Sequence, residues 1–477
     1  MTVLIAGAGP AGLTLAIDLA RRGVPCRVVD KAPGLFPGSR GKGLSPRTQE
    51  VFDDLGVINA VLADGMPFPK FRRYSGHEVV FERHVNELLG AEPLRRGVGV
   101  PYPDLWLLPQ WRTDEILYER FVQLGGRVEF GTEVLGFDQD ADGVTVQTTG
   151  GPVRATYLVG CDGGRSTVRK ALGVGFVGET FESERTLIGD VRAEGLDGVF
   201  CHMFTTGADR FSLWNMPGGQ YYQFVAGVAA EDVPELTLDS VRHLLHERSG
   251  RADIRLHDLK WISLYRVNAR MADRFRAGRV LLAGDAAHVH SSAGGQGLNT
   301  SIQDSYNLGW KLAGVLSGAP EALLDSYETE RIPVAAHVLG MSSTLHRLDF
   351  RPQEGWTPAI HQLDVSYHHG PLAVDDRPAR GRLRAGDRAP DGILDDGTCL
   401  FDVFRGPHFT LLAFGDLQNR RFGDGVRVRQ GIPSDAYDVD DGTLILVRPD
   451  GYIGVMSRRI DTVLTYLERV TPHVVSR

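Results

Sequence analysis

TVLIAGAGPAGLTLAIDLARRGVPCRVVD, residues 2–30, carries its signals in the order that a nucleotide-binding βαβ unit requires. Thr2 to Ala6 is a short apolar run of the kind that forms a buried parallel strand. Gly7-Ala8-Gly9-Pro10-Ala11-Gly12 follows as a glycine turn, the pattern from Leu13 to Arg22 is helical, and Cys26 to Val29 is a second strand ending at Asp30. Gly7 makes the turn, Gly9 lets a pyrophosphate approach, and Gly12 lets helix and strand pack closely. The phosphates then sit at the helix N-terminus, beside Pro10 and Ala11, where backbone N–H groups lack intrahelical partners. Asp30, eighteen residues after Gly12 and followed by Lys31, can take ribose hydroxyls. A bare GxGxxG is weak evidence; strands on both sides and an acid at the end make it a dinucleotide fingerprint.

A second stretch must meet the first. Arg279 to Asn299, RVLLAGDAAHVHSSAGGQGLN, begins as another buried-strand run, stops at Gly284-Asp285, crosses a loop of small residues and enters a helical pattern from about Leu298 to Leu316. Gly294, Gly295 and Gly297 let that loop approach a ligand without a Cβ in the way. The helix that follows starts with unpaired N–H groups and partial positive charge. A carboxylate at a strand end facing such a loop suits a polar, partly anionic cofactor. Taken alone, it is also how an ordinary strand–loop–helix turn reads.

The rest of the chain bounds the possibilities. With 477 residues there is length for about three domains. Glycine, at 58 residues, exceeds the usual ~7% and argues for tight turns and close backbone approaches. A net charge of −8 gives no electrostatic case for nucleic acid or an anionic membrane. Cys26, Cys161, Cys201 and Cys399 form no CxxC and no metal spacing, which fits reduced thiols in the cytoplasm. No apolar run reaches transmembrane length, and a strand beginning at Thr2 leaves no room for a signal peptide, so a cytoplasmic protein is expected.

Gly38 to Leu44, GSRGKGL, is a basic glycine loop before a helix from about Ser45 to Leu55. It is either a solvated turn or the place where Arg40 meets cofactor phosphates or those of an incoming nicotinamide nucleotide. Residues 68–108 read as extended, and Leu107 to Leu124 carries Gln110 into a helix. Short strands are expected at 126–130, 133–138, 143–148 and 153–159, the last leading into CDGGRSTVR, residues 161–169, another acid–glycine turn that opens a helix. Gly175 to Val267 alternates and is rich in aromatics, as an antiparallel sheet with one face over a pocket would be, broken by a helix from Thr237 to Arg248. Glu321 to Leu348 reads as helix interrupted at Pro333, and 349–386 as a linker or covering loop. Strands at 400–404, 409–414, 444–448 and 452–456 and a helix at 459–470 are enough for a small separate domain.

GAGPAG with Asp30, CDGGRSTVR and GDAAHVHSSAGGQGLN, standing in one chain in this order, resemble the FAD-dependent aromatic hydroxylases. These are the class A flavin monooxygenases of p-hydroxybenzoate and phenol hydroxylase type. Nearest in pattern are the polyketide-tailoring hydroxylases and rifampicin monooxygenase. The likeness extends through NTSIQDSYNLGWKLAGVL and LLDSYETERIPVA to a tail opening GDRAPD. It implies an α/β fold with a Rossmann-like FAD-binding domain (1–67, 109–174 and 268–348) and an antiparallel-sheet substrate domain (68–108 and 175–267). A linker (349–386) and a thioredoxin-like C-terminal domain (387–477) complete it, the latter without redox chemistry because Cys399 stands alone.

By the same resemblance, Gly7, Gly9, Pro10, Ala11 and Gly12 bind the FAD pyrophosphate, and Asp30 with Lys31 binds the adenosine ribose. Arg40 and Gln110 touch the phosphate and ribityl parts. Asp162, Gly163, Ser166 and Arg169 form a motif tied to both FAD and pyridine nucleotide. Gly284 and Asp285 meet the ribityl chain or pyrophosphate, and Gly295, Gly297, Leu298 and Asn299 lie along the flavin ring, where the helix N-terminus steadies negative charge. NADPH or NADH is the transient reductant. O₂ adds at flavin C4a, and the distal oxygen of the hydroperoxide passes to a phenolic or polycyclic, polyketide-like aromatic, as in antibiotic biosynthesis.

His202, Trp214, Tyr222, Arg266 and Ser292 are the expected substrate lining, and no catalytic base is singled out. Family members usually carry proline after the GD-motif histidine, where this chain has Ser291 and Ser292. Alternatives within the fold are Baeyer–Villiger insertion or another flavin oxidation. The alternative of another class is a non-catalytic flavin- or ligand-binding protein. His288-x-His290 lacks a third ligand nearby, so no metal is expected. The chain is expected to be a monomer or homodimer, with a small aromatic, O₂ and NAD(P)H as its partners.

Overall fold

The computed structural model describes residues 2–471 except 89–92, 96–98, 207–208, 292–293, 348–356, 379–380, 395, 416, 418–421, 424, 431–436 and 438. Val3–Ala6 is fully buried inside a six-stranded sheet ordered 276–277, 280–282, 157–160, 3–6, 26–30 and 128–130. The last five run parallel; Arg276–Ala277 is antiparallel to its neighbour. Parallel strands covered on both faces need continuous apolar sequence, which VLIA, YLVG and VLL supply. Because Val3–Ala6, Tyr157–Gly160 and Val280–Leu282 are parallel neighbours, the three motif loops that follow them open at one edge of the sheet. Helices Pro10–Ala20 and Gly297–Leu316 pack against each other over this sheet.

A second sheet of eight strands is ordered 288–289, 255–272, 176–194, 221–229, 209–215, 200–206, 70–75 and 78–83. Its neighbours are antiparallel except Phe200–Thr206 beside Lys70–Ser75. One face packs under helix Leu238–Ser249, burying Leu187, Phe204, Phe211 and Phe224 with Val241 and Leu245. The other face turns toward the first sheet. Strand Arg255–Ala272 joins the two bodies: Ala272 lies in the core of the first, and Met271 pairs with His288.

The C-terminal sheet is ordered 374–375, 453–457, 443–447, 409–414 and 426–430. Val374–Asp375 therefore brings part of the expected linker into this sheet, and Thr357–His361 is helical. The tail does not stand apart. Leu411, Leu446 and Leu467 share one core with Trp310 and Leu323 of the long helices. Beside that core, the fully buried Glu330 accepts from Arg448 at 2.7 and 2.9 Å and from Lys311 at 2.7 Å.

Three local expectations differ from the structure. Residues 400–404 form a helix, because Leu400 and Val403 are buried one turn apart. The helix Ala322–Arg347 runs through Pro333, one missing N–H being tolerated in a 26-residue helix held by packing. The strand expected at 153–159 is two strands, Gly151–Ala155 and Tyr157–Gly160, in different sheets. Among the described residues there is no disulfide, no metal-ligand cluster, and no helix long and apolar enough to cross a membrane.

Candidate active site

Between the loop edge of the parallel sheet and the open face of the eight-stranded sheet lies a cavity of about 2290 Å³. Ordinary ligand pockets measure about 300–1,000 Å³, so this one has room for a dinucleotide and a second ligand together.

The nucleotide half presents mostly backbone. Gly7 sits at φ +105°, and a Cβ there would lie 2.3 Å from the Cys161 carbonyl oxygen. A Cβ at Gly12 would lie 2.0 Å from the Gly7 oxygen, so both glycines close the packing of turn, helix and strand. Gly9 faces open space, and it precedes helix Pro10–Ala20 with no side chain capping the N-terminus. Asp30 accepts from the N–H of Ala8 at 2.7 Å and of Ala32 at 2.8 Å, which folds the glycine turn over the strand end. Lys31 and Arg40 line the same space, Arg40 stacked over Phe36.

Several expected cofactor residues act by holding loops. Asp162 accepts from Ser166 Oγ and from the N–H groups of Thr167 and Val168, capping a short helix, while Gly163 faces open space. Arg169 is buried and donates to the carbonyls of Ala286 and Gly164, each at 2.8 Å, so it ties two motif loops together from behind. Asn299 is likewise buried, accepting from Ser45 N–H and donating to the Gly43 and Gly295 carbonyls. Gln110 accepts from the Gly41 N–H at 3.1 Å, and Leu298 packs against Gly41.

Asp285 opens onto the cavity, although protein surrounds it. That enclosure raises its pKa, against the pull of His288 and Arg40. Behind it runs a buried polar chain that motif spacing did not reveal as a unit. His290 Nε2 lies 2.8 Å from His288 Nδ1, His288 Nε2 lies 2.6 Å from Asp304, and Asp304 accepts from Arg331 at 2.7 Å and from Gly284 N–H at 3.1 Å. Burial opposes ionisation of Asp304, but His288 and Arg331 outweigh it and hold the carboxyl below its ordinary range. Burial pushes His290 well below the usual imidazole value, so it stands neutral on the cavity wall.

The sheet half presents side chains, and register decides which. Phe71, Cys201, Trp214, Gln223, Asp190 and Trp261 are partners in one row across six strands. The next row on this face, Arg73, Met203, Ser212, Val225, Ile188 and Ser263, lines the cavity throughout. Trp214 and Arg266 line it as expected. His202 and Tyr222 do not. Each is one residue out of phase with these rows, so its side chain points to the opposite face. His202 is fully buried there between Tyr74 OH and the Asp197 carbonyl, and Tyr222 lies in the core beneath helix Leu238–Ser249. Ser292 lies outside the described residues; Ser291 is buried at the cavity wall.

Lys42 and Asp190 were not anticipated. Lys42 lines the cavity with Nζ 4.0 Å from the Trp214 ring centre, and burial pulls it down to about 8. Burial pushes Asp190 up to about 6. A lone acid at an inward position of an otherwise apolar strand, LIGDV, was the available signal.

Comparison with known proteins agrees with this fold. The family model described as FAD binding domain matches residues 1–342. A flavin-dependent monooxygenase of Mycobacteroides abscessus is 65% identical over 477 residues, covering 98% of this chain and 100% of its own. The 12-dehydrotetracycline 5-monooxygenase/anhydrotetracycline 6-monooxygenase of Streptomyces rimosus is 36% identical, with 94% of each chain covered. The crystal structure of aklavinone-11 hydroxylase in ternary complex with FAD and aklavinone superposes with a TM-score of 0.83 at 28% identity over 99% of both chains.

Proposed function

The chain belongs to the FAD-dependent monooxygenases, and from that premise we propose that it hydroxylates a phenolic or polycyclic, polyketide-like aromatic. NAD(P)H serves as transient reductant and O₂ as the oxygen source. The observation that carries this reading is the second, side-chain-lined half of the cavity, open to the nucleotide half and too large for FAD to fill alone. The substrates named for the tetracycline-type relative and for aklavinone-11 hydroxylase support the choice of class.

The residues present fit FAD. The open space at Gly9, Gly163 and Gly295 is a cradle that a Cβ would enter, and the uncapped helix N-terminus beside it suits a pyrophosphate. In this reading Gly7 to Gly12 surround the pyrophosphate, Asp30 and Lys31 the ribose, and Arg40, Gln110, Gly284 and Asp285 the ribityl and phosphate parts. Gly295, Gly297 and Leu298 lie along the ring. Asp162, Ser166, Arg169 and Asn299 hold these loops in place. When bound, the flavin supplies the redox and oxygen chemistry. The protein's share is to exclude water, which Phe71, Trp214, Met203, Val225 and Ile188 do on the sheet side, and to fix the ring that receives oxygen.

With FAD-loaded protein and NADPH, a polycyclic phenol that fits should accelerate NADPH oxidation and yield a product one oxygen heavier. A ring-expanded lactone would instead assign Baeyer–Villiger insertion. NADPH loss unaffected by any aromatic would set the reading aside.

A further inference from the structure

Lys42 stands where the two halves of the cavity meet, and its backbone is pinned on both sides. Gln110 accepts the N–H of Gly41, and Asn299 donates to the carbonyl of Gly43. The side chain reaches across to the sheet, where Nζ lies over Trp214 and donates to Gln223 Oε1. Gln223 is fully buried and donates one amide N–H to the Ser39 carbonyl, while its oxygen accepts from the lysine. An ammonium has three donors, and Gln223 occupies one; the others have no partner among the described residues.

The surroundings are those of an acid–base centre rather than of a structural ion pair. Asp190, the register partner of Gln223, is 2% exposed; Ser39 stands close enough to steady its charge, yet neither oxygen is in hydrogen-bond geometry with a partner among the described residues. Three strands bring titratable groups to this point: Asp190, Cys201, whose thiol burial pushes up and keeps neutral, and Lys260, which acts on Asp190. The amine and the carboxyl, at about 8 and about 6, both change charge near neutrality.

We propose that Lys42 takes up the phenolic oxygen of the substrate, the neutral amine accepting the phenol proton and the resulting ammonium holding the phenolate beside Trp214. This rests on the reading of the substrate as a phenol. The O–H bond breaks, an N–H bond forms, and the electron pair stays on oxygen, so no further reactant is needed. An ordinary phenol titrates near about 10, so transfer to this amine is unfavourable by about a hundredfold in isolation. Attraction between the two charges in a water-poor cavity offsets that. The phenolate is the more electron-rich ring and therefore the better acceptor of an electrophilic oxygen.

The test uses FAD-loaded protein and 2-naphthol, a fused-ring phenol whose ultraviolet band moves to longer wavelength on ionisation, with naphthalene as the non-phenolic control. Bound 2-naphthol should ionise at lower pH than the free compound, and Lys42→Met should raise that pH by about one unit or more, a tenfold loss in proton affinity difference, with flavin content unchanged. Lys42→Arg should keep the bound phenolate, because the guanidinium stays charged. Ionisation that is unaltered in Lys42→Met with intact flavin overturns the role of Lys42 and leaves the phenol reading standing. If 2-naphthol binds no better than naphthalene and does not ionise on the unaltered protein, or if neither binds, the phenol reading fails and this inference with it.

Discussion

The two halves of the cavity are lined by different parts of the chain. The nucleotide half offers backbone: three loops after three parallel strands, glycines without Cβ atoms, and the N-terminus of Pro10–Ala20, while side chains such as Arg169, Asn299 and Asp304 stand behind and brace the loops. The sheet half offers side chains in two rows, with the backbone spent on strand pairing. Substitutions in the first half should therefore act through fold and cofactor retention. In the second they should act on what is bound and where.

Five substitutions probe that contrast, from the largest effect to the smallest. Asp304→Ala leaves Arg331 and His288 buried without their carboxylate, and removing one member of a buried pair costs about 3–5 kcal/mol; urea unfolding should show that loss together with flavin release. Compared as flavin-free proteins, Gly12→Ala should lose roughly 3 kcal/mol through backbone overlap with Gly7, whereas Gly9→Ala, facing open space, should keep its unfolding midpoint and be impaired only in taking up flavin. Equal midpoints for the two variants would erase the distinction between packing and cradle glycines.

Asp190→Asn sits in the sheet half and carries a sign. The folded carboxyl titrates at about 6 rather than 3.8, so the fold favours its protonated form, and the contribution present below 3.8 is lost as pH rises through 6. The amide should therefore match the native protein at low pH and exceed it by at most about 3 kcal/mol above pH 6. A gain independent of pH would mean that the charge is not what strains the site. His202→Gln is the smallest change. It should cost roughly 1–2 kcal/mol in lost hydrogen bonds to Tyr74 and Asp197 and leave flavin content and turnover unchanged, because the residue lies on the covered face. A change in product without a change in stability would contradict the register described above.

What the amino-acid sequence disclosed follows the same division. The turn at Gly7, Gly9 and Gly12 and the strand end at Asp30 were readable as local structure because a tight turn and close packing are local demands, satisfied within one βαβ unit. Gly284-Asp285 was readable for the same reason. The identity of the lining was not, since alternation marks two faces without saying which is covered, and a shift of one residue exchanged Met203 for His202 and Gln223 for Tyr222. The His290–His288–Asp304–Arg331 chain draws on residues far apart in sequence, joined only when helices Gly297–Leu316 and Ala322–Arg347 pack. Residues 400–404, LFDVF, misled because four apolar residues around Asp402 fit a short strand or a helical turn equally well.

The most direct test of the central claim is the origin of the oxygen in the product. FAD-loaded protein, NADPH and an accepted polycyclic phenol under ¹⁸O₂ in ordinary water should give a hydroxylated aromatic bearing one ¹⁸O on the ring. Product oxygen derived from water, or NADPH consumed with peroxide as the only oxygen product across accepted aromatics, would contradict it.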